Sequence, residues 1–241
     1  MTTAQRVVVM GGSSGIGEAT AAAFAAEGAE VIITGRSQDK LDAARTRIEG
    51  KVTAHRVDAA DPAAIAEFFT ETGQFDHLVI SVSGSSGAGG FADLDLDELV
   101  AGFDGKFWPQ VRILKAALPH LNPQGSVTLV TAASARAAFA GSAGLAAING
   151  ALEAMVPPLA VELAPLRVNA VSPGLVDTPW WDRVPEAQRR ELFDGISAAT
   201  PAGRPGHPDE IARAIHMLAH NAFITGHVLE VTGGATLATG R

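Results

Sequence analysis

"RVVVMGGSSGIGEAT", residues 6–20, decides how this chain is read. Residues 6–10, "RVVVM", form a short apolar run of the kind that makes a buried strand. A glycine-rich turn follows at once, with Gly11, Gly15 and Gly17 in G-x-x-x-G-x-G spacing. A helical stretch then runs from about Ile16 to Glu27. A helix that starts at such a turn offers the free N–H groups of its first turn, and the positive end of its dipole, to an anion. Glycine suits the turn because a backbone without Cβ bends sharply and lets a pyrophosphate approach. Gly11, Ser13, Ser14, Gly15, Ile16 and Gly17 are therefore candidate ligands for a dinucleotide phosphate. Their place between a first strand and a first helix makes the motif stronger than an isolated glycine turn.

Working outward, the same alternation continues. "EVIIT" (30–34), "VTAHRV" (52–57), "HLVIS" (77–81), "SVTLVT" (126–131), "RVNAV" (167–171) and "HVLEV" (227–231) read as strands. "DKLDAARTRIE" (39–49) and further helical stretches lie between most of them. Strands this apolar, separated by helices, imply a parallel sheet covered on both faces. Right-handed crossovers then give a doubly wound α/β Rossmann fold, expected as one domain over residues 1–241. No internal repeat or linker interrupts it. Residues 173–205, rich in Pro, Trp and charge, are expected as an irregular substrate loop or lid.

Composition narrows the function classes. Of 241 residues 47% are hydrophobic and 18% charged, enough apolar surface for a core and too little polarity for disorder. The net charge of −8 is spread along the chain, with no basic stripe for nucleic acid. The absence of cysteine removes thiol nucleophiles and thiolate-bound zinc, and agrees with an expected cytoplasmic location. "MTTAQRVVVM" lacks the layout of a signal peptide, and no apolar run is expected to span a bilayer.

The end of the second strand bears on cofactor choice. An acid there binds the ribose 2′-hydroxyl of NAD, but this chain has Gly35, Arg36 and Ser37. Arginine pairs with a 2′-phosphate and stacks on adenine, so NADP(H) is expected, against the alternative of an ordinary surface arginine.

With these residues in place, the chain resembles the short-chain dehydrogenase/reductase family over essentially its full length. "VDAAD" (57–61) resembles the family segment that contacts adenine, which implies that role for Asp58 with Ala59 beside it. "SVSG" (81–84) stands where the family has Asn-Asn-Ala-Gly, with Ser83 and Gly84 expected at the cofactor. Ser81 and Val82 replace the two asparagines and Met10 a usual threonine, leaving open what ties the fourth strand to its neighbours. "RVNAVSPGLVDTP" (167–179) resembles the segment after the sixth strand, so Pro173, Gly174, Val176 and Thr178 are implied cofactor neighbours. "ITGHVLEVTGGATL" (224–237) resembles the C-terminal strand and its exit.

The resemblance also implies a serine, a tyrosine, a lysine and an asparagine for carbonyl reduction. Those places hold Ala132, Leu145, Asn149 and Lys106, and the chain contains no tyrosine. Three readings stay open. In the first, the site is rebuilt, with Lys106 near the reacting oxygen, Ser134 on the face of Ala132, and Asn149 on a ribose hydroxyl. Lys106 is equally well read as a solvated helix lysine, and Ser134 as a loop serine. In the second, the substrate is an imine, quinone or enone that needs little help at oxygen, and Trp180 and Trp181 cover it. At least one of the two tryptophans is expected to pack in the core or a subunit contact instead. In the third, the domain is a pseudoenzyme that binds NADP(H) as a sensor or scaffold.

Three further expectations follow. The seven histidines show no metal-ligand spacing, so no metal is expected. "MVPPLAVEL" (155–163) puts Pro157 and Pro158 inside a long helix, which predicts a kink or break between about Glu153 and Pro158. Leu152, Met155, Leu159 and Val161 on that helix need cover, so a homo-oligomer, tetramer or dimer, is expected.

Overall fold

In the computed structural model, which describes residues 4–237, strand and helix alternate almost from end to end. The expected domain bounds of 1–241 run past the described residues at both ends. The strands are β1 (Arg6–Met10), β2 (Glu30–Gly35), β3 (Lys51–Arg56), β4 (Phe75–Ile80), β5 (Leu121–Val130), β6 (Arg167–Pro173) and β7 (Val228–Val231). The helices are α1 (Gly15–Ala26), α2 (Gln38–Arg47), α3 (Pro62–Thr72), α4 (Leu96–Gly102), α5 (Trp108–Ala117), α6 (Ala143–Glu162), α7 (Glu186–Ala199) and α8 (Pro208–His220). The strands form one sheet in the order β3-β2-β1-β4-β5-β6-β7, parallel throughout. The order reverses between β1 and β4, so a crevice opens there at the carboxyl ends of the strands.

Both faces of the sheet are covered, which is why β1 shows no polar alternation. Val7 and Val9 pack with Phe24, Ile211 and Ile215, on the side of α1 and α8. Val8 and Met10 pack with Ile65, Phe69 and Ile113, on the side of α3 and α5.

Three expectations change. Residues 173–205 are not one irregular loop: a 3-10 turn at Pro179–Arg183 leads into the 14-residue α7. No residue of α7 is buried, so it carries no deep apolar stripe by which its sequence would reveal it. Helix α6 continues without a break through Pro157 and Pro158 to Glu162. Each proline lacks its own N–H, but the turns on either side persist, and Leu152, Val156 and Ala160 are buried and anchor the helix. Leu152 and Leu159 are covered by the chain's own core, whereas Val161 is 80% exposed. Finally, α6 is long and apolar enough by composition to cross a membrane, at a mean hydropathy of 1.3, contrary to expectation. Here it packs against the sheet as a core helix, with Leu152, Val156 and Ala160 inward.

The lost asparagines after β4 have a replacement. Gln110 of α5 is fully buried, and its Nε2 donates to the carbonyls of Val82 (3.0 Å) and Val130 (3.1 Å). It therefore ties the exit of β4 to the end of β5. Replacing Gln110 with Ala removes the donor from a buried carbonyl at Val130 and a part-buried one at Val82, and is expected to lower stability by about 1–3 kcal/mol. Urea unfolding reads this; an unchanged midpoint would show that the bridge contributes nothing.

Candidate functional site

A cleft of about 610 Å³ lies over the carboxyl ends of β1, β4, β5 and β6. The turn from β1 into α1 forms part of its wall, and its geometry is fixed by close approach. A Cβ on Gly17 would sit 2.1 Å from the carbonyl oxygen of Gly11, so no other residue fits without moving the helix off the turn. Gly11 itself has φ +86° and lies against the Ser81 backbone. Ser14 is the N-cap of α1, but its side chain makes no capping hydrogen bond. The first-turn N–H groups of this 12-residue helix therefore stay available to an anion.

The sequence-predicted cofactor residues converge here. Gly11, Ser13, Ser14, Gly15 and Ile16 border the cleft. So do Arg36 and Ser37 after β2, Asp58 and Ala59 after β3, and Ser83 after β4. Pro173, Gly174, Val176 and Thr178 close the side beyond β6. Two predicted residues do not border it: Gly17 is buried in the packing of α1, and Gly84 faces an adjoining pocket. Ser37 also caps α2, accepting the Lys40 N–H at 3.4 Å. Lys40, in the first turn of α2 after its Ser37 cap, also borders the cleft and was not foreseen.

The adjoining pocket, of about 280 Å³, is walled mainly by apolar side chains, among them Phe139, Leu145, Ile148, Leu192 and Ile196. Ser134 and Asn149 are polar exceptions, and Lys106 and Ala132 stand on the boundary of both cavities. The structure thus brings together Lys106, Ser134 and Asn149, the three sequence-predicted catalytic candidates. Lys106 sits in a π-helical turn, Phe103–Phe107, that joins α4 to α5. It is 9% exposed, so it is not a solvated helix lysine, and its Nζ donates to the Thr131 carbonyl at 3.0 Å. An ammonium has three donors, so two remain for other partners. Ser134 is not a free loop serine either, since its Oγ accepts from Asn149 Nδ2 at 3.1 Å. The same Nδ2 donates to the Leu145 carbonyl at 2.9 Å. Asn149 Oδ1 is buried and has no donor among the described residues.

Behind Lys106 lies a network that sequence reading missed. Glu153, one turn beyond Asn149, is buried. Its Oε1 accepts from Thr131 Oγ1 at 2.8 Å and its Oε2 from Arg136 Nε at 2.8 Å. Arg136 also reaches Glu230 at 3.4 Å. Burial pushes the Lys106 pKa down to about 8, and the negative Glu153 opposes that shift. Desolvation wins, which leaves an ammonium poised to give up its proton near neutral pH.

Trp180 and Trp181 border both cavities, and neither belongs to the core. Trp180 Nε1 donates to the Gly84 carbonyl at 3.3 Å, and the Arg183 guanidinium lies 3.2 Å from its ring centroid. Trp181 Nε1 donates to the Val176 carbonyl at 3.0 Å, and its ring meets Phe193 of α7 edge-on at 5.5 Å. Helix α7 and the tryptophan pair thus form one cover over the apolar pocket.

Known proteins share this layout. A family model described as enoyl-(acyl carrier protein) reductase matches residues 11–236. Glucose 1-dehydrogenase of Gluconobacter oxydans is 32% identical, over 97% of this chain and 92% of its own. A 3-oxoacyl-acyl-carrier-protein reductase of Thermotoga maritima is 29% identical, over 95% of this chain and 97% of its own. A crystal structure of a small-chain dehydrogenase in complex with NADPH superposes with a TM-score of 0.82 at 30% identity, covering 98% of this chain and all of that one.

The depressed pKa of Lys106 has a consequence for stability. In the unfolded chain the ammonium persists to about pH 10.5, but in the fold only to about 8. The folded pKa of a base is lowered, so the charged form disfavours the fold below pH 8, and that cost disappears as pH rises from 8 to 10.5. Wild-type stability measured against Lys106→Met by urea unfolding is expected to climb across that window. A difference independent of pH from 7 to 10.5 would place Lys106 in solvent.

Proposed function

The chain belongs to the short-chain dehydrogenase/reductase family, and from that premise we propose that it is an NADP(H)-dependent reductase of a small apolar or aromatic carbonyl, quinone or enone, working without a tyrosine. The observation that carries this reading is the buried Lys106 ammonium on the boundary between the cofactor cleft and an apolar pocket.

The cleft fits a dinucleotide on its own evidence. Gly11 and Gly15, both at positive φ, line the turn without a Cβ, and the uncapped start of α1 borders the cleft beside them. Arg36 and Lys40 supply two cations for a 2′-phosphate, in the absence of an acid at Gly35. The NADPH in the small-chain dehydrogenase crystal supports the same choice.

When bound, the nicotinamide supplies a hydride to the substrate carbon. The chain's own residues must then answer the charge that develops at the acceptor oxygen. Lys106 is the group placed to do so, as electrostatic stabiliser and as proton donor, with Thr131 and Glu153 holding it in place. General acid help of this kind is worth about two to four orders of magnitude in rate. The apolar walls and the Trp180–Trp181 cover exclude water and strengthen that interaction. A preformed cationic iminium would meet the like charge of Lys106, so a neutral acceptor suits the pocket better. The unpartnered Asn149 Oδ1 is an acceptor for a ribose or substrate hydroxyl. The pocket, below the usual range of about 300–1,000 Å³, calls for a small substrate.

The test is NADPH oxidation with a panel of quinones, enones, imines and simple ketones. Activated acceptors are expected to turn over faster than simple ketones. Lys106→Met is expected to lower kcat by about tenfold or more while leaving NADPH affinity unchanged. The wild-type rate is expected to fall as pH rises through about 8, and this limb should vanish in the variant. Tight NADPH binding with an inert panel would instead support the sensor or scaffold reading.

Cofactor preference is a separate expectation. NADPH should bind more tightly than NADH in fluorescence titration, and Arg36→Ala should remove most of the difference. Equal affinities in the wild type would contradict the assignment.

A further inference from the structure

At the opposite end of α1 from the glycine turn, a second cluster of chemistry-bearing side chains lies between α1 and α8. The 12-residue α1 places it about 18 Å from the cleft at the standard helical rise. His216 and His220 stand four residues apart on the last turns of α8 and so share one face. Glu27, the residue that ends α1, lies against them, with its Oε2 3.1 Å from His216 Nε2. The two imidazole rings are 4.1 Å apart. One ligand atom from each of the three residues lies within 4.8 Å of the other two. The i, i+4 histidine pair alone did not point to a metal in the sequence, where none was expected, because only the packing of α1 on α8 delivers Glu27 as a third member.

Two observations distinguish this cluster from a surface ion pair. His216 Nε2 has no solvent exposure and no hydrogen-bond partner of adequate geometry among the described residues, with Phe24 packed 4.9 Å from its ring. The tautomer of His220 is also set by its neighbour. Its Nδ1 is 2.9 Å from the His216 carbonyl oxygen, which can only accept, so Nδ1 carries the proton. Nε2 then holds a lone pair, and it faces the Gln5 side-chain oxygen at 3.0 Å. A ring N–H bonded to a carbonyl, with the other nitrogen free, is the arrangement that orients a metal-ligating histidine. The Gln5 amide can turn its NH2 toward that lone pair, so it either donates there or yields the position to a cation.

We propose that Glu27, His216 and His220 form a metal site for Zn²⁺ or a neighbouring late first-row divalent ion, clamping the end of α1 to α8. Two imidazoles and one carboxylate select such ions over Mg²⁺ and Ca²⁺, which take oxygen ligands. Bonds of about 2.0–2.2 Å need the ligand atoms drawn closer than they lie now. Glu27 and His220 are exposed and can rotate to close that gap, while His216 is the more fixed of the three. Water or the Gln5 oxygen completes the set of four. His77, buried behind with its ring 5.5 Å from that of His220 and Nδ1 2.9 Å from Ser126 Oγ, forms a wall and is not a ligand. The site makes no use of the cleft or of the reductase reading.

The test uses the full chain without an affinity tag, stripped with chelator and desalted. Titration with Zn²⁺ in a calorimeter is expected to show one site per chain in the micromolar range or tighter. Saturating Zn²⁺ is expected to raise the unfolding temperature by about 3 °C or more. Co²⁺ should give a visible absorption band of a low-coordinate site, and Mg²⁺ should do neither. His220→Ala and Glu27→Gln, both at exposed positions, should each weaken Zn²⁺ binding at least about tenfold and keep NADPH affinity. Failure to bind Zn²⁺ at millimolar concentration would overturn the proposal. Binding of equal strength in both variants would also overturn it, by placing the ion elsewhere on the chain.

Discussion

The close approach of Gly17 to the Gly11 carbonyl is the constraint on which the rest of the molecule is built. With a would-be Cβ only 2.1 Å from that oxygen, helix α1 can start directly on the exit of β1. This contact aims the first-turn N–H groups into the crevice, at the point where the strand order reverses. It also directs the far end of α1 toward α8, where Glu27 meets His216. A larger residue at 17 would force helix and turn apart, and the cleft would lose the free N–H groups at that end.

The boundary between cleft and apolar pocket rests on a different interaction, the burial of one positive charge. An ammonium removed from water is costly unless it is paired and hydrogen-bonded. Lys106 has the Thr131 carbonyl, and Thr131 in turn donates to the buried Glu153, which Arg136 holds from outside. The network crosses from α5's approach to the end of β5 and to α6. With no tyrosine in the chain, it is the charged donor placed at the boundary of cleft and pocket. Leu145 and Ile148 then act as apolar walls that strengthen its field.

What the sequence made legible follows physical lines. The strands were plain because a parallel sheet buried on both faces needs unbroken apolar runs, as in Val7–Val9. The glycine turn was plain because its demand is local and few residues can meet it. Lys106, Ser134 and Asn149 were found through the family's spacing, and the fold does bring them together. Gln110 and Glu153 were invisible because their partners come from other segments: Gln110 answers Val82 and Val130, and Glu153 answers Thr131 and Arg136. Helix α7 was missed because nothing on it is buried. The break expected at Pro157 and Pro158 failed for the opposite reason, since the buried residues of α6 hold the helix through a local defect.

The most direct test of the central claim is a crystal structure of the chain with NADPH and an unreactive carbonyl or quinone analogue. The account predicts the analogue in the apolar pocket, its oxygen within hydrogen-bond reach of Lys106 Nζ and its carbon facing the nicotinamide. An analogue whose oxygen meets only solvent or Asn149, with Lys106 still bonded to Thr131 alone, would contradict it.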